Sequence, residues 1–442
     1  MKRRDFLKRM GLATAGVVAA PYILPSGRMF AATGARKANH VVVCLYAGGV
    51  RILESIQKSD GNLMPSILTG NEAISADIAA GMTSLPGSPL AMPLQKYGTL
   101  YKNFRFAEGP TGHYSAHTVA LTGRYTTTDL NLREPPKWPT IFELYRKHST
   151  PSKNALNAWW VSNQLGPYPA LNYSSYPGYG SLYGANFVQP SSLISQAGYD
   201  GLGDMRNFTT TERDFRNKIR SFLDKNFSSQ LNPNDVGVNN TQADSERLQT
   251  FINSLLNNAA SGQYNDPWMT GPAAMNNDMY NIFFAEEIIR EFQPELMVVN
   301  MQDVDVCHFD YTRYADNLRK ADFAVAKLWE TIQSTPGMAN DTVMIVVPEH
   351  GRNFEANTVM DSFGRFALDH TAIGSSGGDQ MSREIFCLVV GPSGIVVQDQ
   401  SIDAVRGQSI DIVPTVADIL GFDADIPAGI RPPGQVLNDA FV

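Results

Sequence analysis

The chain has 442 residues, 43% hydrophobic and only 18% charged, with 36 Lys and Arg against 43 Asp and Glu. That length can bury a large core, and the ordinary glycine and proline content argues against a fibrous or disordered chain. A net charge of −7, with no basic run beyond the first residues, argues against a nucleic-acid binder. The three cysteines, Cys44, Cys307 and Cys387, are too few for a disulfide scaffold; each lies in or beside an apolar run and reads as a buried small hydrophobe.

Arg3-Arg4-Asp5-Phe6-Leu7-Lys8 opens the chain, followed by an apolar stretch from Met10 through Leu24 and then Pro25-Ser26-Gly27. This is the layout of a twin-arginine export signal, and about 15 apolar residues fall short of the ~20 a stable transmembrane span needs. Residues 1–32 are therefore expected to be the signal, the twin-arginine machinery a partner, and the destination periplasmic or otherwise exported. Removing residues 1–32 takes away six basic residues and one acid, so the mature chain carries 30 basic against 42 acidic residues, a net −12.

The run His40-Val41-Val42-Val43-Cys44-Leu45-Tyr46 breaks at Ala47-Gly48-Gly49 and reads as a buried parallel strand ending in a loop. Similar runs recur at Leu296–Met301, Thr342–Val347 and Ile385–Val390, and between the first two of these Tyr311 to Ile332 has helical apolar spacing. Strand, helix, strand predicts an α/β fold, a doubly wound, mostly parallel sheet with helices on both faces. Residues 33–158 and 272–442 would form the two parts of that core. The stretch 159–271, rich in Asn, Ser, Tyr and Gly, with helical pattern near Glu212–Leu223 and Ala243–Asn258, reads as a mixed insertion over or beside the sheet.

Functional groups in such sheets gather at the carboxyl ends of strands. Three clusters stand at such positions: Asp303-Val304-Asp305-Val306-Cys307-His308, Glu349-His350-Gly351 and Asp369-His370-Thr371. Imidazole with carboxylate is a ligand set for a divalent metal, zinc first, with manganese, calcium or magnesium as alternatives. Asp369 reads as a helix N-cap, Asp303 as a ligand or a loop cap, Asp310 and Glu355 as solvated residues, and His40 and His148 as surface histidines.

Asp303 to His308, the helix from Tyr314, and Asp341-Thr342-Val343-Met344-Ile345-Val346-Val347-Pro348-Glu349-His350-Gly351 resemble the metal-binding Asp/His pair, long helix and following strand of the alkaline phosphatase superfamily. Thr118-Val119-Ala120-Leu121-Thr122-Gly123-Arg124-Tyr125 and Ile410-Asp411-Ile412-Val413-Pro414-Thr415 resemble two further motifs of that family, in order. The resemblance implies an alkaline phosphatase-like core and a metal-dependent hydrolase of phosphate or sulfate esters acting on a small molecule. By the same resemblance, His308, one of Asp305 or Asp303 (Asp305 preferred) and His370 would share one metal, and Glu349 and His350 a second.

Two positions depart from the family pattern. The first strand has no terminal Asp and presents Arg51 instead, a candidate for holding substrate oxygens, with Arg352 as the alternative to it or as a structural ion-pair partner. The nucleophile position falls on His113, with the hydroxyls of Thr111 and Ser115 as alternatives. His113 and His117, four apart, share a helix face as a metal pair, a phosphoryl acceptor with its partner, or a polar helix start. Ala47-Gly48-Gly49 and His113-Tyr114-Ser115-Ala116 resemble an exported subgroup of unknown function. These departures support a second expectation, a catalytically reduced member acting as a periplasmic binding or assembly protein.

Overall fold

A computed structural model describes residues 34–127, 134–149, 155–163, 171–193, 241–271, 275–371 and 378–442. The export signal and the helical pattern at 212–223 lie outside the described residues.

Eight strands form one sheet: β1 (His40–Tyr46), β2 (Gly98–Arg105), β3 (Ala158–Val161), β4 (Asn186–Val188), β5 (Leu296–Met301), β6 (Thr342–Pro348), β7 (Glu384–Val390) and β8 (Gln400–Gln408), in spatial order β4-β3-β5-β1-β6-β7-β2-β8. β4, β3, β5, β1 and β6 pair in parallel; β7 is antiparallel to both its neighbours, and β2 pairs in parallel with β8. Among the described strands, β7 alone therefore runs against the rest. The run at 385–390 was expected to resemble the parallel strands. No crossover helix is described between β6 and β7, and a parallel connection needs one or an equivalent crossover.

The central strands are buried on both faces because their apolar residues alternate between two cores. Val41, Val43 and Leu45 of β1 face one cluster with α1 (His113–Thr122), α2 (Ile141–His148) and α6 (Ile412–Ile419). Val42, Cys44 and Tyr46 face another with α3 (Gln242–Ala260), α4 (Asn277–Phe292) and α5 (Tyr311–Ser334). Helices thus cover both faces. All three cysteines are buried and free, and burial pushes the Cys307 thiol up to about 12.

The middle stretch differs from expectation. It supplies all but the first residue of β3 and the whole of β4 in the main sheet, while α3 inserts Leu248, Phe251, Ile252 and Leu255 into the core under α4. Trp159 and Trp160 are fully buried on opposite faces of β3, an outcome of period-2 alternation in a strand too short to announce itself.

The strand order places the site. β5, β1 and β6 are adjacent and in register, Tyr46 pairing with Met301 on one side and Pro348 on the other. The three loops that follow them meet at one edge, held by Ala47 N–H to Met301 O (2.6 Å), Glu349 N–H to Tyr46 O (3.1 Å) and Val50 N–H to His350 O (3.1 Å). A cavity of about 480 Å³ lined by Tyr97, Trp329, Gln333, Pro392 and Gln398 lies beyond the carboxyl end of antiparallel β7, and no acid, base or histidine lines it.

Candidate metal centre

Two ligand groups occupy that edge. Asp305 and His308 come from the 3₁₀ turn after β5, Glu349 and His350 from the loop after β6, His370 from the loop that returns toward β7, and His113 from the first residue of α1. One donor atom each from His113, Asp305, His308 and His370 lies within 4.8 Å of the others, and the same holds for His113, Glu349 and His350.

Asp305 Oδ1 is the centre of the first group. It receives Arg352 Nη2 at 2.8 Å and lies 3.1 Å from His113 Nε2, 3.3 Å from His308 Nε2 and 3.9 Å from His370 Nε2. Burial alone would raise its carboxyl, but hydrogen bonds from His113 and His308 and the charge of Arg352 hold it well below the carboxylate range. Asp303 is engaged elsewhere: its carboxylate accepts from Asn277 N–H at 2.8 Å at the start of α4. Asp310, expected to be solvated, caps α5 through Arg313 N–H at 2.8 Å.

In the second group, Glu349 Oε1 is 2.6 Å from His113 Nδ1 and 3.1 Å from His350 Nε2, while Oε2 lies 2.5 Å from His117 Nδ1. Asn300 Nδ2 donates to His117 Nε2 at 2.9 Å, so the His117 proton sits on Nδ1, toward Glu349 and the His113 carbonyl. His117 is thus an anchor behind Glu349. Burial would raise the Glu349 carboxyl; the surrounding histidines hold it well below its usual value.

The scaffold fixes three of the rings through Nδ1: His308 to Asp369 Oδ1 (2.6 Å), His350 to Gly351 O (2.7 Å) and His370 to Thr111 O (2.7 Å). Those partners place a proton on each Nδ1 and leave Nε2 facing the site. Burial lowers the pKa of His350, and burial together with the neighbouring histidines lowers that of His370 well below 6.5, so both rings are neutral. Their Nε2 lone pairs then face carboxylate oxygens, acceptor against acceptor. A divalent cation between them would resolve that opposition, and imidazole with carboxylate is a donor set for such an ion. Asp369 and its 2.6 Å bond to His308 were missed in the sequence, where the residue reads as a cap. A carboxylate behind a ligating histidine is a recurrent metal-site arrangement.

The glycines after β1 let the site residues approach the chain closely. A Cβ on Gly48 would lie 2.7 Å from Asp305 N, and one on Gly49, whose φ is +79°, would overlap the His350 ring. The site residues fill the space a strand-end side chain would need.

The remaining candidates fall outside the donor groups. Thr111 is buried, its hydroxyl donating to His370 O at 2.5 Å and accepting from Gly378 N–H at 2.8 Å. Ser115 is buried two residues beyond His113 on α1, about 200° around the helix from the ligand face. Arg51 was expected to hold substrate oxygens; instead its Nε donates to Glu54 Oε2 at 2.9 Å, its Nη2 to Glu54 Oε1 at 2.5 Å and its Nη1 to Phe354 O at 3.2 Å. Glu54 is fully buried, so Arg51→Ala is expected to lower unfolding stability by about 3–5 kcal/mol by stranding that carboxylate. The urea midpoint reads this; a variant as stable as its parent would deny the pair that role. His40 and His148 lie outside the site, bonded to Pro294 O and Tyr179 Oη.

No protein-family model matches the sequence, and no curated protein matches it. Among solved structures, the chain is similar to a protein in the alkaline phosphatase superfamily from Vibrio parahaemolyticus, at 12% identity and TM-score 0.45 over 99% of this chain and 78% of that one. It is also similar to wild-type alkaline phosphatase PafA, at 11% identity and TM-score 0.45 over 93% and 100%. A third is the lipoteichoic acid synthase LtaP from Listeria monocytogenes, at 12% identity and TM-score 0.36 over 90% and 74%.

Proposed function

We propose that the chain is an exported, divalent-metal-dependent hydrolase of phosphate or sulfate esters. The observation that supports this reading is the meeting of Asp305, His308, His370, Glu349, His350 and His113 at the joined ends of β5, β1 and β6, with the Nε2 lone pairs of His350 and His370 facing carboxylate oxygens. A divalent ion there would polarise an ester oxygen and lower the pKa of a water. The side chains of His113, Asp305 and His308 keep 19%, 20% and 22% of their surface exposed, so a small ester can reach them, while His350, Arg352 and His370 form the dry floor.

The protein's own residues set the geometry. Arg352 anchors Asp305, Asp369 turns His308, and the Thr111 and Gly351 carbonyls set the tautomers of His370 and His350. With the Thr111 hydroxyl engaged and Ser115 on another helix face, the attacking group is water. The same placement of the Thr111 and Ser115 hydroxyls favours the second reading, a metal-holding binding or assembly protein.

Metal analysis of the purified chain with turnover of p-nitrophenyl phosphate, bis-p-nitrophenyl phosphate and p-nitrophenyl sulfate separates the two. Hydrolysis of one ester, abolished by chelation, restored by zinc and lost in His350→Ala, is expected. Metal-loaded protein inert on all three would leave the binding reading.

Export is a separate proposal, resting on residues 1–32. Arg3→Lys together with Arg4→Lys is expected to leave the chain in the cytoplasm; unchanged recovery from the periplasmic fraction would refute the signal.

A further inference from the structure

We infer that His113 is a bridging ligand, its Nε2 serving an ion in the Asp305, His308 and His370 group and its Nδ1 a second ion in the Glu349 and His350 group. The inference rests on the proposal above that the site holds divalent metal.

The geometry distinguishes this ring from the other ligand histidines. His308, His350 and His370 each tie Nδ1 to the scaffold and can offer only Nε2. Among the described residues, His113 ties neither nitrogen to a backbone carbonyl or an outer carboxylate. Its Nε2 lies 3.1 Å from Asp305 Oδ1 and its Nδ1 2.6 Å from Glu349 Oε1, with His350 Nε2 3.5 Å from that same Nδ1. It is the residue shared by both donor groups, and the two groups take opposite edges of its ring. Its place at the first turn of α1, with His117 one turn on and anchored against Glu349, holds the ring between the two loops.

The ligation balances simply. Binding one ion at each nitrogen displaces both ring protons to solvent and leaves an imidazolate, whose negative charge offsets part of the added 4+. Metal–nitrogen bonds of about 2.0–2.1 Å on both sides of a ring hold two ions farther apart than the ~3.5–4 Å of a clamp that grips one oxygen between two metals. The ester is then polarised at one ion, with the other fixing the ring. It also follows that His113 has no nitrogen left to act as nucleophile, the role in which the sequence first offers it.

Copper(II) titration of the chelator-stripped full chain, followed by electron paramagnetic resonance, tests the bridge. The signal is expected to grow to one equivalent and then fall by more than half as the second enters, because two copper ions on one imidazolate couple antiferromagnetically. In His113→Ala, checked for native circular dichroism, any copper bound gives an uncoupled signal that does not fall. Two uncoupled ions in the wild-type chain, or a stoichiometry of one, would overturn the bridge while leaving a metal site. No copper or zinc uptake at all would overturn the metal reading beneath it. Should His113→Ala fail to fold, the wild-type titration alone still decides.

Discussion

Asp305→Asn should be the most damaging single change at the site. Asp305 Oδ1 is within 3.9 Å of three imidazole nitrogens and bonded to Arg352 at 2.8 Å, so the substitution removes the negative charge that three ligands surround. Loss of an outer partner of a ligating histidine costs about 10–100-fold in metal affinity, and a carboxylate that itself ligates must exceed that. Asp369→Asn, which loosens only His308, is the internal comparison and is expected to stay within that range. A second effect accompanies the first. Arg352 is fully buried, and without its counter-ion its charge is left to the carbonyls of Leu368, Gly48 and Val304 and the face of the Tyr314 ring. Removing one partner of a buried pair typically costs 3–5 kcal/mol; with those carbonyls and the Asn oxygen still accepting, about 3 kcal/mol is the figure to look for. Chelator competition reads the affinity and the urea midpoint the stability. Equal zinc affinity in Asp305→Asn and the parent would remove Asp305 from the ligand set.

The strands that build the site could be read from the sequence because they are buried on both faces, and an uninterrupted run such as Val41 to Leu45 admits few other structures. Asp305, His308, Glu349, His350 and His370 could be picked out for the same reason, since each follows such a run or stands in the loop beyond it. β2 could not: Lys102, Asn103 and Arg105 interrupt it because its β8 side lies near the edge of the sheet. β8 is mostly exposed, and β3 and β4 are only 4 and 3 residues long. Within the site, what escaped detection is tertiary. Nothing near Asp369 in the chain says that it faces His308, 61 residues away, nor that Asn300 sets the tautomer of His117 across 183 residues. Arg51 misled because a cation standing where an anion is expected suggests substrate, whereas its partner, Glu54, stands three residues along the same chain. His113 was legible as a site residue and not as a shared one, because the two edges of one ring carry no sequence signature.

Metal affinity is expected to rise steeply with pH. Burial pulls the His113 imidazolium down, but the charge of Glu349 and the hydrogen bonds to Asp305 and Glu349 outweigh it and lift the ring from 6.5 to about 10 in the metal-free protein. An ion taking either nitrogen must displace a proton that is held up to that pH, while His350 and His370, already neutral, add no slope. Each proton released makes affinity rise about tenfold per pH unit, so zinc should bind roughly a hundred-fold more tightly at pH 8.5 than at pH 6.5 for one proton, and more steeply still if His113 gives up both. The metal-free fold moves the other way. A pKa raised on folding contributes stability that is fully present below the unfolded value of 6.5 and is lost as pH climbs through about 10. At a fixed excess of zinc, a hundred-fold tighter site adds about 2.7 kcal/mol to the loaded protein, so the gap between loaded and stripped melting temperatures should widen from pH 6.5 to 8.5. Calorimetric titration in two buffers of different ionisation enthalpy counts the protons directly. Zinc binding that is independent of pH across this window, with no proton release, would mean that His113 is not a ligand.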